Sequence, residues 1–264
     1  MSQPYRQPSF KEQMGLAPDP NRLEHVRSGN HRFTRLHTNG GHPIDTSQPG
    51  LPTYHRRIGN PLPLVLLGIG THVLFLGLIL VGVRGLTQLN ISVMTGLPLG
   101  GAGLFIACCF AFAEGNTFAA TLGGCFGGLI SGLSIVFLPW TGIQNAYIEA
   151  AGGQLLPGVV SLYSALSLLF FCAMIPVFFV YMASFKTAVP ISGGALQIII
   201  ALILLGVNFL QFGSNGGPQI ALQKAAGALF IIVGIVLWYL AAAIMNQEEG
   251  IPVPVLPLPR SDDY

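Results

Sequence analysis

A few polar side chains interrupt long apolar stretches, and these are the residues that could do chemistry. His72 stands midway along one stretch, while Gln197 and Asn208 stand in another. An imidazole titrates near physiological pH, so His72 could accept a proton or line a pore. It could equally be a neutral histidine that donates a hydrogen bond to a neighbouring carbonyl. The two amides are typical of hydrogen bonds between membrane helices, with ligand binding as the alternative.

The spacings that enzymes use for their catalytic groups are missing from the sequence. Between residues 61 and 247 it contains no paired acids, and it has no H-E-x-x-H, no G-x-S-x-G and no Walker loop. The four cysteines stand in apolar stretches without a C-x-x-C spacing, which is typical of packing residues. We therefore expect no enzyme, no metal or cofactor, and no nucleic-acid partner. An ATP-driven pump is not expected either, because no soluble segment is large enough to bind nucleotide.

The composition is that of a protein embedded in lipid. Of 264 residues, 52% are apolar and 8% are charged, whereas a soluble domain carries about 25% charged residues. A membrane helix needs roughly 20 apolar residues. Six stretches meet this requirement: about 62–83, 94–113, 118–138, 158–183, 191–212 and 222–245. We predict an all-α integral membrane protein with a bundle of six transmembrane helices.

The polar ends of the chain set the predicted domain limits and orientation. Residues 1–58 form a hydrophilic tail that we expect to be disordered, residues 59–250 the transmembrane domain, and residues 251–264 a short Pro-rich tail. Basic flanks stay in the cytosol, so both termini of this multi-pass protein are predicted to be cytosolic. Arg84 then lies outside the cell, which goes against the positive-inside rule. One charge does not outweigh the basic residues of the N-terminal tail. The N-glycosylation sequon that begins at Asn90 also lies outside. It is too close to a span for us to expect glycosylation there.

Glycine recurs at every fourth position of the third stretch, at Gly124, Gly128 and Gly132. Four residues advance a helix by about 6 Å, or roughly one turn, so these glycines share one face. In lipid, helices associate through close backbone contact. We predict that this face packs against a helix of the same chain or of another subunit, and that it binds no substrate. The second stretch has a similar group of glycines, for which we predict the same packing role: Gly96, Gly100 and Gly101.

Two helix starts carry asparagine caps. Asn60 stands at the predicted N-cap position before Pro61, which suits the first helical position. Asn116 is the corresponding cap before Thr117. The free N–H groups of a helix N-terminus favour anions, so starts directed at a cavity would favour a carboxylate cargo.

The stretch NPLPLVL at 60–66 resembles the N-P-A-P-L-G-L motif that opens the first span of the acetate uptake transporter family. That family includes bacterial succinate–acetate permeases and fungal acetate and ammonia-export proteins. GNTF at 115–118, FKT at 185–187 and WYLAAA at 238–243 follow in the family's order, and the resemblance covers residues 58–258. It implies a plasma-membrane hexamer in which each six-helix protomer holds a narrow path for acetate and related monocarboxylates, in several cases with protons.

The path residues that this resemblance implies depart from the family pattern. The family's constriction of Phe, Tyr and Leu falls on Ile69, Phe126 and, across a gap, Ile203. A family Gln falls on Leu104, and a Thr beside the gate falls on His72. The lost amide and hydroxyl would have replaced water around a carboxylate, and a desolvated carboxylate without partners is costly. His72 could supply the missing donor.

Three functions therefore stay open. The first is a transporter or channel for acetate or similar small monocarboxylates, with proton symport through His72 as one form of it. The second keeps the fold and carries ammonia or another small neutral solute. The third is a membrane sensor or scaffold that transports nothing. It is favoured by the loss of polar side chains from the implied path and by the long N-terminal tail. A continuous path past Ile69, Phe126 and Ile203 would favour conduction, and a filled interior would favour scaffolding.

Overall fold

The computed structural model describes residues 59–86, 88–185, 189–212 and 217–248, and every regular element within them is helical. Six helical segments are long and apolar enough to cross a membrane: Leu62–Val81, Leu89–Glu114, Thr117–Val136, Leu155–Ser184, Val189–Leu210 and Ile220–Asn246. These are the first to sixth spans. The chain is thus an all-α, multi-pass integral membrane protein, as predicted. The predicted tails at 1–58 and 251–264 lie outside the described residues.

The second span is not the continuous helix expected over 94–113. A 3-10 turn at Leu89–Ser92 leads into a short α-helix at Val93–Gly96, a π-helical segment at Pro98–Gly103 and an α-helix at Leu104–Glu114. Proline has no N–H to donate to the preceding turn, so it interrupts the α-helical ladder. The Ala102 amide donates instead to the carbonyl of Leu97, at 2.9 Å. The helix therefore widens by one residue at this point.

The first and sixth spans are packed backbone to backbone through two glycine pairs. A Cβ built at Gly77 would lie 2.6 Å from the carbonyl oxygen of Gly227, and one built at Gly227 would lie 2.8 Å from that of Gly77. A Cβ at Gly234 would lie 2.8 Å from the carbonyl oxygen of Gly70. Each helix therefore carries two glycines seven residues apart on its contact face. This close approach holds the first span, and with it His72, against the bundle.

The third span contacts the second through glycines that lie beside the predicted stripe. A Cβ at Gly123 would lie 3.2 Å from the carbonyl oxygen of Leu104, and one at Gly127 would lie 3.2 Å from Cβ of Leu104. Leu104 itself is completely buried at this contact. The packing of these two spans within one chain therefore rests on Gly123 and Gly127.

The predicted stripe itself is mostly open in the single chain. A Cβ at Gly124 would meet the Cys108 sulfur at 3.2 Å, but one at Gly128 or Gly132 would meet no described atom within 4 Å. Gly128 and Gly132 are also exposed. Only the first glycine of the stripe thus has a neighbouring helix within the described part of this chain.

The fifth and sixth spans are joined by a side-chain cap. Asn208 is fully buried, and its Oδ1 accepts a hydrogen bond at 2.6 Å from the Gln219 amide, at the start of the sixth helix. The amide side chain thereby satisfies one of the N–H groups that a helix start leaves unpaired. The role between helices expected for Asn208 is confirmed.

Candidate functional site

A cavity of about 70 Å³ lies inside the bundle, between the first, third, fourth, fifth and sixth spans. Its wall is apolar at every described position except His72. The lining residues are His72, Val73, Leu76, Phe126, Leu129, Ile130, Leu133, Leu169, Phe170, Ala173, Val177, Ile198, Leu202, Leu205 and Phe230. The wall thus offers a single polar side chain among the described residues.

His72 reaches the cavity wall from the middle of the first span. Its side chain is 2% exposed, and its Nδ1 lies 3.2 Å from Oγ1 of Thr95 on the second span. A Cβ built at Gly96 would lie 3.1 Å from Cε1 of the imidazole. The glycine therefore leaves the ring room to lie flush against the second span. The irregular first turns of the second span thus provide both the hydrogen-bond partner of the imidazole, Thr95, and the space beside the ring, at Gly96.

Thr95 is itself held by the turn that precedes it. Its hydroxyl donates to the carbonyl oxygen of Ser92 at 3.1 Å. The Ser92 hydroxyl in turn donates to the carbonyl oxygen of Leu89 at 2.6 Å. Two hydrogen bonds from side chains to backbone carbonyls thus fix the Ser92 and Thr95 side chains, and the Thr95 oxygen is held 3.2 Å from Nδ1 of His72.

The structure brings together two of the residues predicted for the path. Phe126 is buried and lines the same cavity as His72. Ile69 is buried one turn before His72, in the packed core rather than at the cavity wall. Ile203 is 39% exposed on the outer surface of the fifth span. The placement of Ile203 in the sequence analysis depended on an alignment across a gap.

The fifth span lines the cavity with residues that sequence reasoning did not select. Ile198, Leu202 and Leu205 all lie at the cavity wall. Their spacing of four and then three residues is that of one helix face. This periodicity was the available signal, but in a span that is apolar on all sides it does not show which face turns inward.

Asn116 caps its helix as predicted, whereas the N-cap of the first helix is Pro61 and not Asn60, because that helix begins one residue later than predicted. Neither helix start lies at the cavity. Asn60 Oδ1 accepts from the Leu62 amide at 3.0 Å, and the first helix begins at Leu62, with Pro61 immediately before it. Asn116 likewise accepts, at 3.0 Å, from a backbone amide in the first turn of its helix, which begins at Thr117 as expected. These residues are not among those that line the cavity, so the structure does not direct either helix start at it.

The chain is similar to curated fungal proteins over most of its length. It is 27% identical over 246 residues to Ammonia transport outward protein 2 of Saccharomyces cerevisiae, covering 90% of this chain and 80% of that protein. It is 28% identical over 219 residues to Acetate permease A of Emericella nidulans, covering 81% of this chain and 72% of that protein.

A solved structure shares the fold. The bacterial acetate channel SatP matches with a TM-score of 0.62 at 23% sequence identity, covering 76% of this chain and 99% of SatP. The family model named GPR1/FUN34/yaaH matches residues 44–260, most of the chain. The similarity to named permeases and to SatP agrees with the resemblance found in the motifs. The chain therefore belongs to the GPR1/FUN34/yaaH family.

Proposed function

We propose that this protein is a non-enzymatic channel or transporter for acetate or a similar small monocarboxylate, which passes through the cavity inside each protomer. The observation that carries this proposal is an apolar cavity with one imidazole in its wall, in a chain that is similar over most of its length to a protein named Acetate permease A. The apolar wall suits a methyl group, and His72 offers one polar contact. Conduction needs such weak binding, because a solute that binds tightly does not leave.

A proton accompanies the cargo in this proposal. His72 is the one described polar side chain of the cavity wall, and a bare carboxylate is costly to hold in an apolar space. Joint passage of the carboxylate and a proton avoids this cost, because the pair is neutral. Acidification inside vesicles during acetate entry is the expected signature.

Uptake of labelled acetate into proteoliposomes tests the proposal. We expect the wild-type protein to load acetate faster than empty vesicles do, and Leu202→Trp to abolish the difference by filling the cavity. Ile203→Trp is the matched control, because this neighbour on the same helix is exposed and lies away from the wall. A block by Ile203→Trp and not by Leu202→Trp would instead favour the path that the family resemblance implies.

Ammonia is the second candidate cargo. The similarity to Ammonia transport outward protein 2 extends over 90% of the chain, and an apolar wall admits a small neutral solute without the cost of a buried charge. Alkalinisation of a dye trapped in proteoliposomes after addition of ammonium chloride measures this flux. Ammonia entry without acetate entry above that of empty vesicles would make ammonia the cargo.

The sensor or scaffold function remains the alternative of another class. It requires an interior filled by side chains, and the 70 Å³ cavity weighs against it. Equal rates in empty vesicles and proteoliposomes for both acetate and ammonia would favour it over conduction.

We also propose that the protein is a homo-oligomer, with six copies by family resemblance. The supporting observation is the outer face of the third span, where Gly128 and Gly132 are exposed and have no described neighbour within 4 Å. Bare backbone of this kind suits close contact with a second helix in lipid. A second copy of the chain would cover it.

The proposed location is the plasma membrane, with both termini in the cytosol. The support is the basic character of residues 1–60 and the even number of spans. Asn90, exposed in the turn at Leu89–Ser92, then faces outwards. Labelling of single cysteines placed at Asn90 and at either terminus with an impermeant reagent checks this: only the first should react in intact cells.

A further inference from the structure

The His72 ring presents one edge to the cavity, and its surroundings identify that edge. Nδ1 faces the Thr95 hydroxyl at 3.2 Å, and Cε1 lies against Gly96. Since the ring nevertheless lines the cavity, the remaining edge, Nε2 and Cδ2, is the part that a solute meets. No described residue of the chain hydrogen-bonds to Nε2.

The Thr95 hydroxyl lies within hydrogen-bond distance of two acceptors, the Ser92 carbonyl oxygen at 3.1 Å and Nδ1 of His72 at 3.2 Å. A hydroxyl has one proton to donate. When the Thr95 proton goes to Ser92, the Thr95 oxygen accepts from His72 and Nδ1 carries the hydrogen, and this is the arrangement on which the proposal below rests. In a neutral imidazole the other nitrogen is the acceptor. Nε2 therefore offers a lone pair to the cavity.

We propose that Thr95 positions His72 as a hydrogen-bond acceptor, so that the cavity selects small neutral solutes that carry a donor, in the first place an undissociated carboxylic acid. This inference rests on the proposed function and specifies the form in which the cargo passes. Thr95 is a positioning residue, because it acts through the imidazole.

The two forms of the cargo meet this wall differently. A carboxylate has only acceptor oxygens, so its charge would face the Nε2 lone pair and otherwise apolar groups, without any donor to replace water. The undissociated acid donates its O–H to Nε2, while its methyl group contacts side chains such as Phe126 and Leu205 of the wall. One neutral hydrogen bond holds the acid weakly enough for it to leave again.

Two assays in proteoliposomes distinguish a neutral cargo from an anion. Entry of labelled acetate is measured in potassium buffer, with and without valinomycin, and a trapped pH dye reports whether a proton enters with it. Entry of the neutral acid moves no net charge and is unaffected by valinomycin, whereas entry of the anion needs potassium as its counter-ion. Osmotic swelling in acetamide, a neutral molecule with N–H donors, is measured beside it. We expect acetate entry that acidifies the vesicle lumen and does not depend on valinomycin. We also expect acetamide to enter faster than it enters empty vesicles.

Three variants assign the effect to the acceptor. His72→Leu should lower the protein-dependent flux of both solutes by roughly tenfold, the equivalent of one hydrogen bond. Thr95→Val frees the ring to carry its hydrogen on Nε2, so acetate entry should become valinomycin-dependent and acetamide entry should fall. Thr71→Val is the matched control: its hydroxyl accepts from Trp238 Nε1 at 3.0 Å on the sixth span, and it is not among the lining residues.

The outcomes separate this inference from the function on which it rests. Valinomycin-dependent acetate entry through the wild-type protein, without acetamide entry, would overturn the inference and leave acetate conduction standing. Unchanged valinomycin dependence in a folded Thr95→Val variant would overturn the positioning role. Acetate and acetamide entry no faster than in empty vesicles would overturn both the proposed function and the inference. Gel filtration of each variant in detergent confirms that it is folded, and Thr95→Val keeps the test decisive if His72→Leu fails to fold.

Discussion

At the scale of single residues, the site could be predicted only in part. His72 is conspicuous because it is polar within an apolar stretch, and Phe126 was found from its place in the family pattern. The contact between His72 and Thr95 joins residues 23 positions apart, and it depends on how the first two spans are rotated about their axes. That rotation comes from packing against the rest of the bundle, which no local pattern of apolar residues specifies.

Phe126 should set the size of the solute that passes. Its ring is buried in the cavity wall, so Phe126→Ala enlarges the space at a cost of about 3–5 kcal/mol in stability. We expect the ratio of propionate to acetate uptake to rise, measured with labelled acids in proteoliposomes. Phe110→Ala is the control, because that ring is 52% exposed on the outside of the bundle. An unchanged ratio in Phe126→Ala would remove Phe126 from the path.

At the scale of helices, hydropathy predicted the number of spans and most of their limits. It did not predict the break in the second span, although Pro98 and the glycines around it were visible in the sequence. Proline is tolerated in membrane helices, so its presence alone does not show that the helix widens. The glycine pairs of the first and sixth spans were also missed. Their spacing of seven becomes meaningful only once the two helices are known to be neighbours.

The glycine contact between the first and sixth spans should tolerate no side chain. Gly77→Ala places a methyl group 2.6 Å from a backbone oxygen, so the helices must separate, at a cost of about 1–3 kcal/mol. We expect a lower melting temperature for the detergent-solubilised protein, measured by intrinsic fluorescence.

Gly128→Ala is the matched control for this experiment. The same substitution there meets no described atom within 4 Å, and alanine favours the helix over glycine. The melting temperature of Gly128→Ala should stay the same or rise. Equal losses in the two variants would mean that helix propensity, and not the close approach, dominates the effect of Gly77→Ala.

At the scale of the whole molecule, composition was enough to predict the fold class. With 8% charged residues, the chain cannot cover a water-facing surface, and the six apolar stretches follow from this scarcity. The sequence could not show which glycines pack within the chain and which remain open. Gly123 and Gly127 face the second span, while Gly128 and Gly132 face outwards, and adjacent positions on one helix differ only by rotation.

The open glycines should control assembly without affecting the protomer. Gly128→Trp adds a large side chain where the described chain leaves space, so the fold is expected to survive while contact between copies is blocked. Native mass spectrometry should show a shift from oligomer to smaller species. Gly59→Trp serves as the control: this glycine precedes the first span, is exposed, and also has no described neighbour within 4 Å. An unchanged oligomer in Gly128→Trp would place the interface elsewhere.

A single chain supplies the whole described cavity wall, from the first span to the sixth, and this has a genetic consequence. In the oligomer that we propose, each copy is therefore expected to carry a passage of its own. A mutant allele whose product has a blocked passage should then abolish transport only through its own copies. Such alleles should be recessive, whereas dominant alleles should come from changes that disturb the assembly of the copies.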